Sequence, residues 1–183
     1  GEPYHLAADR LSLRNIQQVY GTHLRDWLIS HNDFHTCHQV LDVGGSTGRV
    51  SKVVAPHAHR VILVPALVEM MTGSSDGETW LVGYIEDRLP ANLDHSFDLI
   101  LFCETLDHLT DPVAALQNCR QVLAPGGVMY IDYATHPHMK IDHPLYFIHS
   151  SMNTLLERTG WKPVAVKSPH SSFHRGFLCK VQP

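Results

Sequence analysis

The stretch Val40-Leu41-Asp42-Val43-Gly44-Gly45-Ser46-Thr47-Gly48 constrains the fold more than any other part of this chain. A short apolar run closed by glycines predicts a buried strand that empties into a tight turn. Arg49 to Ala55 continues as a helix. Strand, glycine turn and helix in that order let a ligand approach the backbone closely, with the first free N–H groups of the helix facing it. The middle glycine expected of such a turn is Ser46, a small residue that can itself hydrogen-bond.

The rest of the pattern repeats the alternation. Leu11 to Ile29 has helical spacing, with Leu13, Ile16, Val19, Tyr20, Leu24, Trp27 and Leu28 largely on one stripe. Strands are predicted at Gln39–Val43, Arg60–Val64, Thr79–Gly83, Phe97–Phe102 and Val128–Tyr133. Phe97 to Phe102 is apolar enough to be covered on both faces, as in a parallel sheet. A short helix is expected over Leu67–Met71 and a longer one from Asp111-Pro112 to Leu123. Asp111 suits the N-cap and Pro112 the first helical position, where a missing N–H costs nothing. Ala124-Pro125-Gly126-Gly127 then stops the helix. A last helix, Ser150–Thr159, ends at Gly160 and is followed by strands at Pro163–Lys167 and Gly176–Val181, close enough to pair as a hairpin. The expected fold is therefore α/β: a doubly wound Rossmann-like sheet of about seven strands. It is mostly parallel with an antiparallel C-terminal hairpin strand and helices on both faces, and its ligands lie beyond the carboxyl ends of the strands.

A chain of 183 residues without internal repeats or a long linker reads as one domain. Within it, residues 1–38 form a helical cap, 39–135 the half that carries the glycine turn, and 136–183 the opposite half with the hairpin. Gly1 in place of an initiator methionine leaves room for a preceding segment. The start resembles neither a signal nor a transit peptide, and no apolar run approaches the roughly 18 residues of a membrane span. A net charge of −4 gives no broad reason to bind nucleic acid or an anionic membrane. Cys37, Cys103, Cys119 and Cys179 form no C-x-x-C pair and read as reduced packing thiols of a cytoplasmic protein.

Four motifs in order resemble those of the class I S-adenosylmethionine-dependent methyltransferases. Val40 to Gly48 is similar to that family's V-L-D-x-G-x-G-x-G, and Phe97-Asp98-Leu99-Ile100 to its fourth strand. Glu104-Thr105-Leu106-Asp107-His108-Leu109 resembles the segment often written E-V-L-E-H-L, and Leu123-Ala124-Pro125-Gly126-Gly127 its L-x-P-G-G turn. Asp142 to Phe147, ahead of the last helix, resembles small-molecule methyltransferases that modify sugars, polysaccharides and natural products.

The resemblance implies S-adenosylmethionine as cofactor and a small-molecule acceptor, methylated on oxygen or, less favoured, on nitrogen or carbon. A homo-oligomer is compatible with it. By the same resemblance Gly44, Gly45 and Gly48 admit the methionine part, Asp42 organises the turn or meets the ammonium, and Ser46 is tolerated beside it. Ile85 would cover the adenine, Glu86 or Tyr84 would meet the ring edge, and Phe102 and Cys103 would face the methionine or the acceptor. Where the family places an acid for the ribose hydroxyls, this chain has Val64, which cannot accept their hydrogen bonds. A methyltransferase-like binding or scaffold domain that has lost cofactor use is therefore the alternative. A nicotinamide oxidoreductase fits poorly, since the G-x-G-x-x-G spacing is absent.

His108 is the candidate general base, because imidazole titrates near neutral pH, and His143, the second catalytic candidate, or Tyr146 would contact the substrate. His136-Pro137-His138 with Asp142-His143 resembles a metal-ligand set, but prolines and a background of 15 histidines favour chance spacing, and no metal is expected. The clusters His31/His35/His38 and His57/His59 are expected on the surface.

Overall fold

A computed structural model describes residues 4–31, 37–65, 77–135, 144–168 and 174–182, with side chains from residue 15 in the first segment and residue 175 in the last. The elements run α1 (Tyr4–His31), β1 (Gln39–Val43), α2 (Arg49–Val54), β2 (His59–Val64), β3 (Glu78–Val82), β4 (Phe97–Phe102), α3 (Pro112–Val122), β5 (Leu123–Ala134), α4 (His149–Arg158), β6 (Trp161–Lys167) and β7 (His174–Val181). The short helix expected at 67–71 lies outside the described residues.

All seven strands form one sheet in the order β3-β2-β1-β4-β5-β7-β6. The pairs β1–β2, β1–β4, β2–β3 and β4–β5 are parallel, and β7 is antiparallel to both β5 and β6. The chain thus crosses from one side of β1 to the other between β3 and β4. Such a reversal leaves a crevice at the carboxyl ends of β1 and β4.

Alternation along the strands divides the core into two layers. Leu41, Val43, Ile100, Met129, Ile131, Phe177 and Cys179 pack with Leu116 and Cys119 of α3 and Met152 and Leu156 of α4. Val40, Leu99, Leu101, Val128, Tyr130 and Leu178 pack on the other face with Leu24 and Leu28 of α1 and Val54 of α2. Helices therefore cover both faces, and Asp42, Asp132 and Lys167 share the α1 face with their apolar strand neighbours by the same alternation.

Asp111 accepts a hydrogen bond from the Ala114 backbone N–H at 2.9 Å ahead of Pro112, as an N-cap does. Asp111→Ala is expected to cost about 1 kcal/mol in thermal or urea unfolding, with Asp111→Ser nearly neutral. The Ala124–Gly127 turn departs from expectation. β5 already begins at Leu123, and its register against β4 shifts between Phe97 and Leu99, so the turn is absorbed as an irregularity of the strand. Gly127 fits there because a Cβ would stand 2.9 Å from the Phe97 carbonyl. α2 spans only six residues and ends at Val54, so the glycine turn, rather than a long helix dipole, shapes the crevice. In the described residues all four cysteines are free thiols, and His31, His38, His57 and His59 are exposed.

Candidate functional site

The turn after β1 is shaped by close contacts. Gly48 sits at φ +66°, and a side chain there would meet Ile62 Cδ1 at 2.4 Å. Gly45 lies over Asp42, with room for no more than a hydrogen, since a Cβ would stand 2.5 Å from Asp42 Cγ. Ser46 takes φ +49° and Glu104, just past β4, φ +54°. Left-handed backbone at a non-glycine residue costs on the order of 1 kcal/mol and persists where the surroundings impose it.

Both residues line a cavity of about 650 Å³ between α1 and the carboxyl ends of the strands. Asp42, Gly44, Gly45 and Ser46 form one wall, Cys103, Glu104 and Lys167 another, and Ile16, Val19, Tyr20 and His23 of α1 a third. Asp42 is 1% exposed, and its Oδ2 is buried without a hydrogen-bond partner among the described residues. Burial pushes its carboxyl up to about 6, against the pull of hydrogen bonding with Ser51 and the Arg60 charge.

One network joins two of these walls. The Asp132 carboxylate on β5 accepts the Glu104 backbone N–H at 2.7 Å through Oδ1. Through Oδ2 it accepts the Tyr20 hydroxyl of α1 and, at 3.4 Å, the Tyr130 hydroxyl. Burial, then the Asp132 charge, raises both tyrosines well above the ordinary phenol value, so both remain donors. Burial, then Asp132 and Asp42, likewise holds the Cys103 thiol protonated, which makes it a poor nucleophile. Lys167 of β6 is 7% exposed, and burial lowers its ammonium while Asp132 and Cys103 oppose that shift.

The other candidate residues are placed differently. Val64, Ile85 and Phe102 are 1%, 1% and 0% exposed. Their side chains pack into the interior, which leaves the main chain as the part able to meet a ligand. Ile85, expected to cover the adenine, belongs to the apolar core cluster that also holds Leu89, Leu106, Leu109 and Ala115. Glu86 accepts the Thr110 backbone N–H at 3.1 Å through Oε1, while its Oε2 is buried without a partner among the described residues. His108 is exposed at the end of the 3-10 turn Leu106–His108 and is not among the residues lining the cavity. His143, with His136, His138 and Asp142, lies outside the described residues; among those described, no cluster of His, Cys, Asp or Glu is arranged to hold a metal.

Sequence reading missed Asp132, Tyr20, Lys167 and Asn118. Asn118 Nδ2 donates to the Ile85 carbonyl at 2.9 Å and the Glu86 carbonyl at 2.8 Å, fixing that loop to α3. A signal existed for Asp132 alone: an acid inside the apolar run Val128–Tyr133 demands a buried partner.

A family model described as a methyltransferase domain matches residues 41–131. The tRNA 5-carboxymethoxyuridine methyltransferase of Escherichia coli (strain K12) is 33% identical over 100 residues, covering 50% of this chain and 38% of that protein. The ubiquinone biosynthesis O-methyltransferase of Xanthomonas campestris pv. campestris (strain B100) is 34% identical over 100 residues, covering 51% of this chain and 41% of that protein. The match thus spans only about two fifths of these curated relatives. Among solved structures, a mitomycin 7-O-methyltransferase superposes with a TM-score of 0.72 at 16% identity over 91% of this chain and 54% of that one. A Burkholderia thailandensis 1,6-didemethyltoxoflavin-N1-methyltransferase, solved with 1,6-didemethyltoxoflavin and S-adenosylhomocysteine, superposes with a TM-score of 0.68 at 14% identity over 100% of this chain and 92% of that one. At these identities the structures speak for the fold. No helix among the described residues is long and apolar enough to cross a membrane. With the domain match at 41–131, the sheet order and the glycine turn together, the chain belongs to the class I S-adenosylmethionine-dependent methyltransferases.

Proposed function

We propose that this chain binds S-adenosylmethionine and transfers its methyl group to a small-molecule acceptor, on oxygen by preference. The observation that carries the reading is the Asp42 carboxylate, buried under Gly45 at the cavity wall with Oδ2 unpartnered. A buried, unpaired carboxylate is costly unless a donor arrives to satisfy it. The α-ammonium of the methionine part has the charge and size to do so, and the glycines beside Asp42 leave room for it. A second orphan, Glu86 Oε2, suits an exocyclic amine at a purine edge. The relatives named above carry methyltransferase activities in their names, two of them on oxygen.

The cofactor, when bound, supplies an electrophilic methyl on a sulfonium. The chain's own residues would hold it, align the acceptor and exclude water. Asp42 would bind the ammonium, Gly44, Gly45 and Ser46 would admit the backbone of the methionine part, and the α1 wall would close over the reacting end.

Val64 favours a second reading. It leaves the ribose position without an acceptor, and the lack of one charge-assisted hydrogen bond costs on the order of 1.5–3 kcal/mol of binding. A domain that has given up the cofactor and acts through protein contacts is consistent with that loss.

Calorimetric titration with S-adenosylmethionine and S-adenosylhomocysteine separates the two. Binding, with affinity rising about tenfold from pH 5 to pH 7, is expected for the enzyme, because Asp42 must ionise through about 6 to meet an ammonium. No heat at millimolar ligand would sink it. Stability without ligand runs the other way. The folded carboxyl keeps its proton to about pH 6 and an unfolded one releases it near 3.8, so stability falls as pH rises between these values. Asp42→Asn should abolish both dependences.

A further inference from the structure

We propose that residues 15–20 of α1 form a clasp across the mouth of the cavity, and that Tyr20 is its positioning residue, holding Glu104 in the wall through Asp132. Only the identity of the ligand on which the clasp closes rests on the cofactor reading.

α1 is held to the rest of the fold unevenly. Its later turns are anchored by apolar burial, with Leu24 and Leu28 fully buried in the layer that contains Val40, Leu99 and Leu101. Gly21 presses against α2, where a Cβ would stand 2.9 Å from Val53 Cβ, so the helix is pinned at that point. A glycine inside a helix also weakens it locally. Ahead of Gly21 the apolar side chains are not covered in this way. Ile16 and Val19 are 63% and 56% exposed and line the cavity. A helical segment that buries little apolar surface opens more readily than the rest of its fold.

Two side-chain hydrogen bonds hold this arm, one to each wall. The Thr47 hydroxyl of the glycine turn donates to Gln17 Oε1 at 3.1 Å. Tyr20, three residues on and therefore on the same face of the helix, donates its hydroxyl to Asp132 Oδ2. The other oxygen of Asp132 accepts the Glu104 N–H at 2.7 Å, so the arm and the Glu104 main chain share one carboxylate. Tyr130 reaches the same Oδ2 only at 3.4 Å, long for a hydrogen bond between oxygens. Asp132 thereby carries the position of α1 to a residue whose φ of +54° needs outside support. Thr105 limits how far the effect extends. Its hydroxyl lies 3.0 Å from the Val43 carbonyl and 3.1 Å from the Cys103 carbonyl, tying the ends of β1 and β4 together without α1. Release of the arm frees Glu104 and opens the mouth, while the base of the crevice stays joined. A ligand that covers Ile16 and Val19 stabilises the docked arm, and the docked arm stabilises the ligand by the same factor.

Backbone amide exchange, read residue by residue by NMR, tests the clasp without any ligand. Tyr20→Phe keeps the ring and removes the hydroxyl. A hydrogen bond to a charged group shifts a local equilibrium roughly ten- to a hundredfold, so Glu104 exchange should quicken about tenfold or more. The amides of Leu24, Leu28 and Leu101 should be unchanged. Gln17→Ala is the sharper variant, because Gln17 is hydrogen-bonded to the opposite wall. If the arm moves as a unit, this change should still quicken Glu104 exchange, by about threefold for a neutral hydrogen bond. Unchanged Glu104 exchange in Gln17→Ala, or equal quickening at Leu101, overturns the proposal. Stopped-flow kinetics with S-adenosylhomocysteine give the second readout. Dissociation should be about tenfold faster in Tyr20→Phe, and association about threefold faster, because entry waits for the arm to open. A lesion that merely damaged the site would not speed association, so association that is unchanged or slower overturns the proposal. Should Tyr20→Phe fail to fold, Gln17→Ala carries both readouts. No binding of S-adenosylhomocysteine to wild type would defeat the cofactor reading, and the exchange rates would then decide on the clasp by themselves.

Discussion

Asp132→Ala should lower stability by about 3–5 kcal/mol in urea unfolding, a substantial share of the roughly 5–15 kcal/mol that holds a domain folded. The carboxylate is 1% exposed and serves donors from three elements, so its removal strands the Glu104 N–H and the Tyr20 and Tyr130 hydroxyls together. Each orphaned buried donor costs on the order of 1–3 kcal/mol, with partial relief as water enters. Asp132→Asn should lose less than half as much, since its oxygen still accepts the Glu104 N–H and its amide can donate to Tyr20. Loss of S-adenosylhomocysteine binding should accompany the alanine change, because Glu104 is then free to leave φ +54° and the wall it forms. A cost below about 1 kcal/mol would mean that α1 is held by its apolar stripe alone.

The second large effect concerns the layer opposite α1. Trp161 is fully buried at the start of β6, and its indole N–H donates to the Leu116 carbonyl at 3.0 Å. Trp161→Ala should cost about 3–5 kcal/mol through lost contact and the cavity left behind. Trp161→Phe retains much of the volume and removes the donor, and about 1–2 kcal/mol is expected from it. Both values are read from the urea midpoint, with the slope unchanged if unfolding stays two-state. Neither variant should alter ligand affinity in conditions where it remains folded, since Trp161 lies among α3 and α4 residues and not on the cavity.

Much of the fold was legible because the relevant signals are local. The Val40–Gly48 run, the Phe97–Phe102 strand and the Asp111-Pro112 start each report their own structure through composition and spacing. Boundaries slipped where tertiary contacts extend a strand. β6 starts at Trp161, two residues before its expected start, because Trp161 pairs with Val181 and buries its ring. Asp42, Gly44, Gly45, Ser46 and Cys103 come together because one turn and one strand end meet at the sheet's reversal. Tyr20 and Lys167 were illegible for the complementary reason. They come from a helix and a strand more than 100 residues apart, and nothing local in their flanks foretells the meeting, whereas Asp132 showed only that some partner was needed and not which. Val64 and Ile85 show a further limit: alignment gives a residue's place along the chain but not the side to which its side chain turns.

The insertion of β7 between β5 and β6 has a consequence for how the protein is made. β6 leaves the ribosome before β7, yet it has no partner in the sheet until β7 arrives. Lys167 therefore cannot be carried to the cavity while the chain is growing through residues 168–173. The α1, β1, β4 and β5 walls can already stand by then. A nascent chain of that length would offer the glycine turn but no amine, and only the joining of the last strand would complete the pocket.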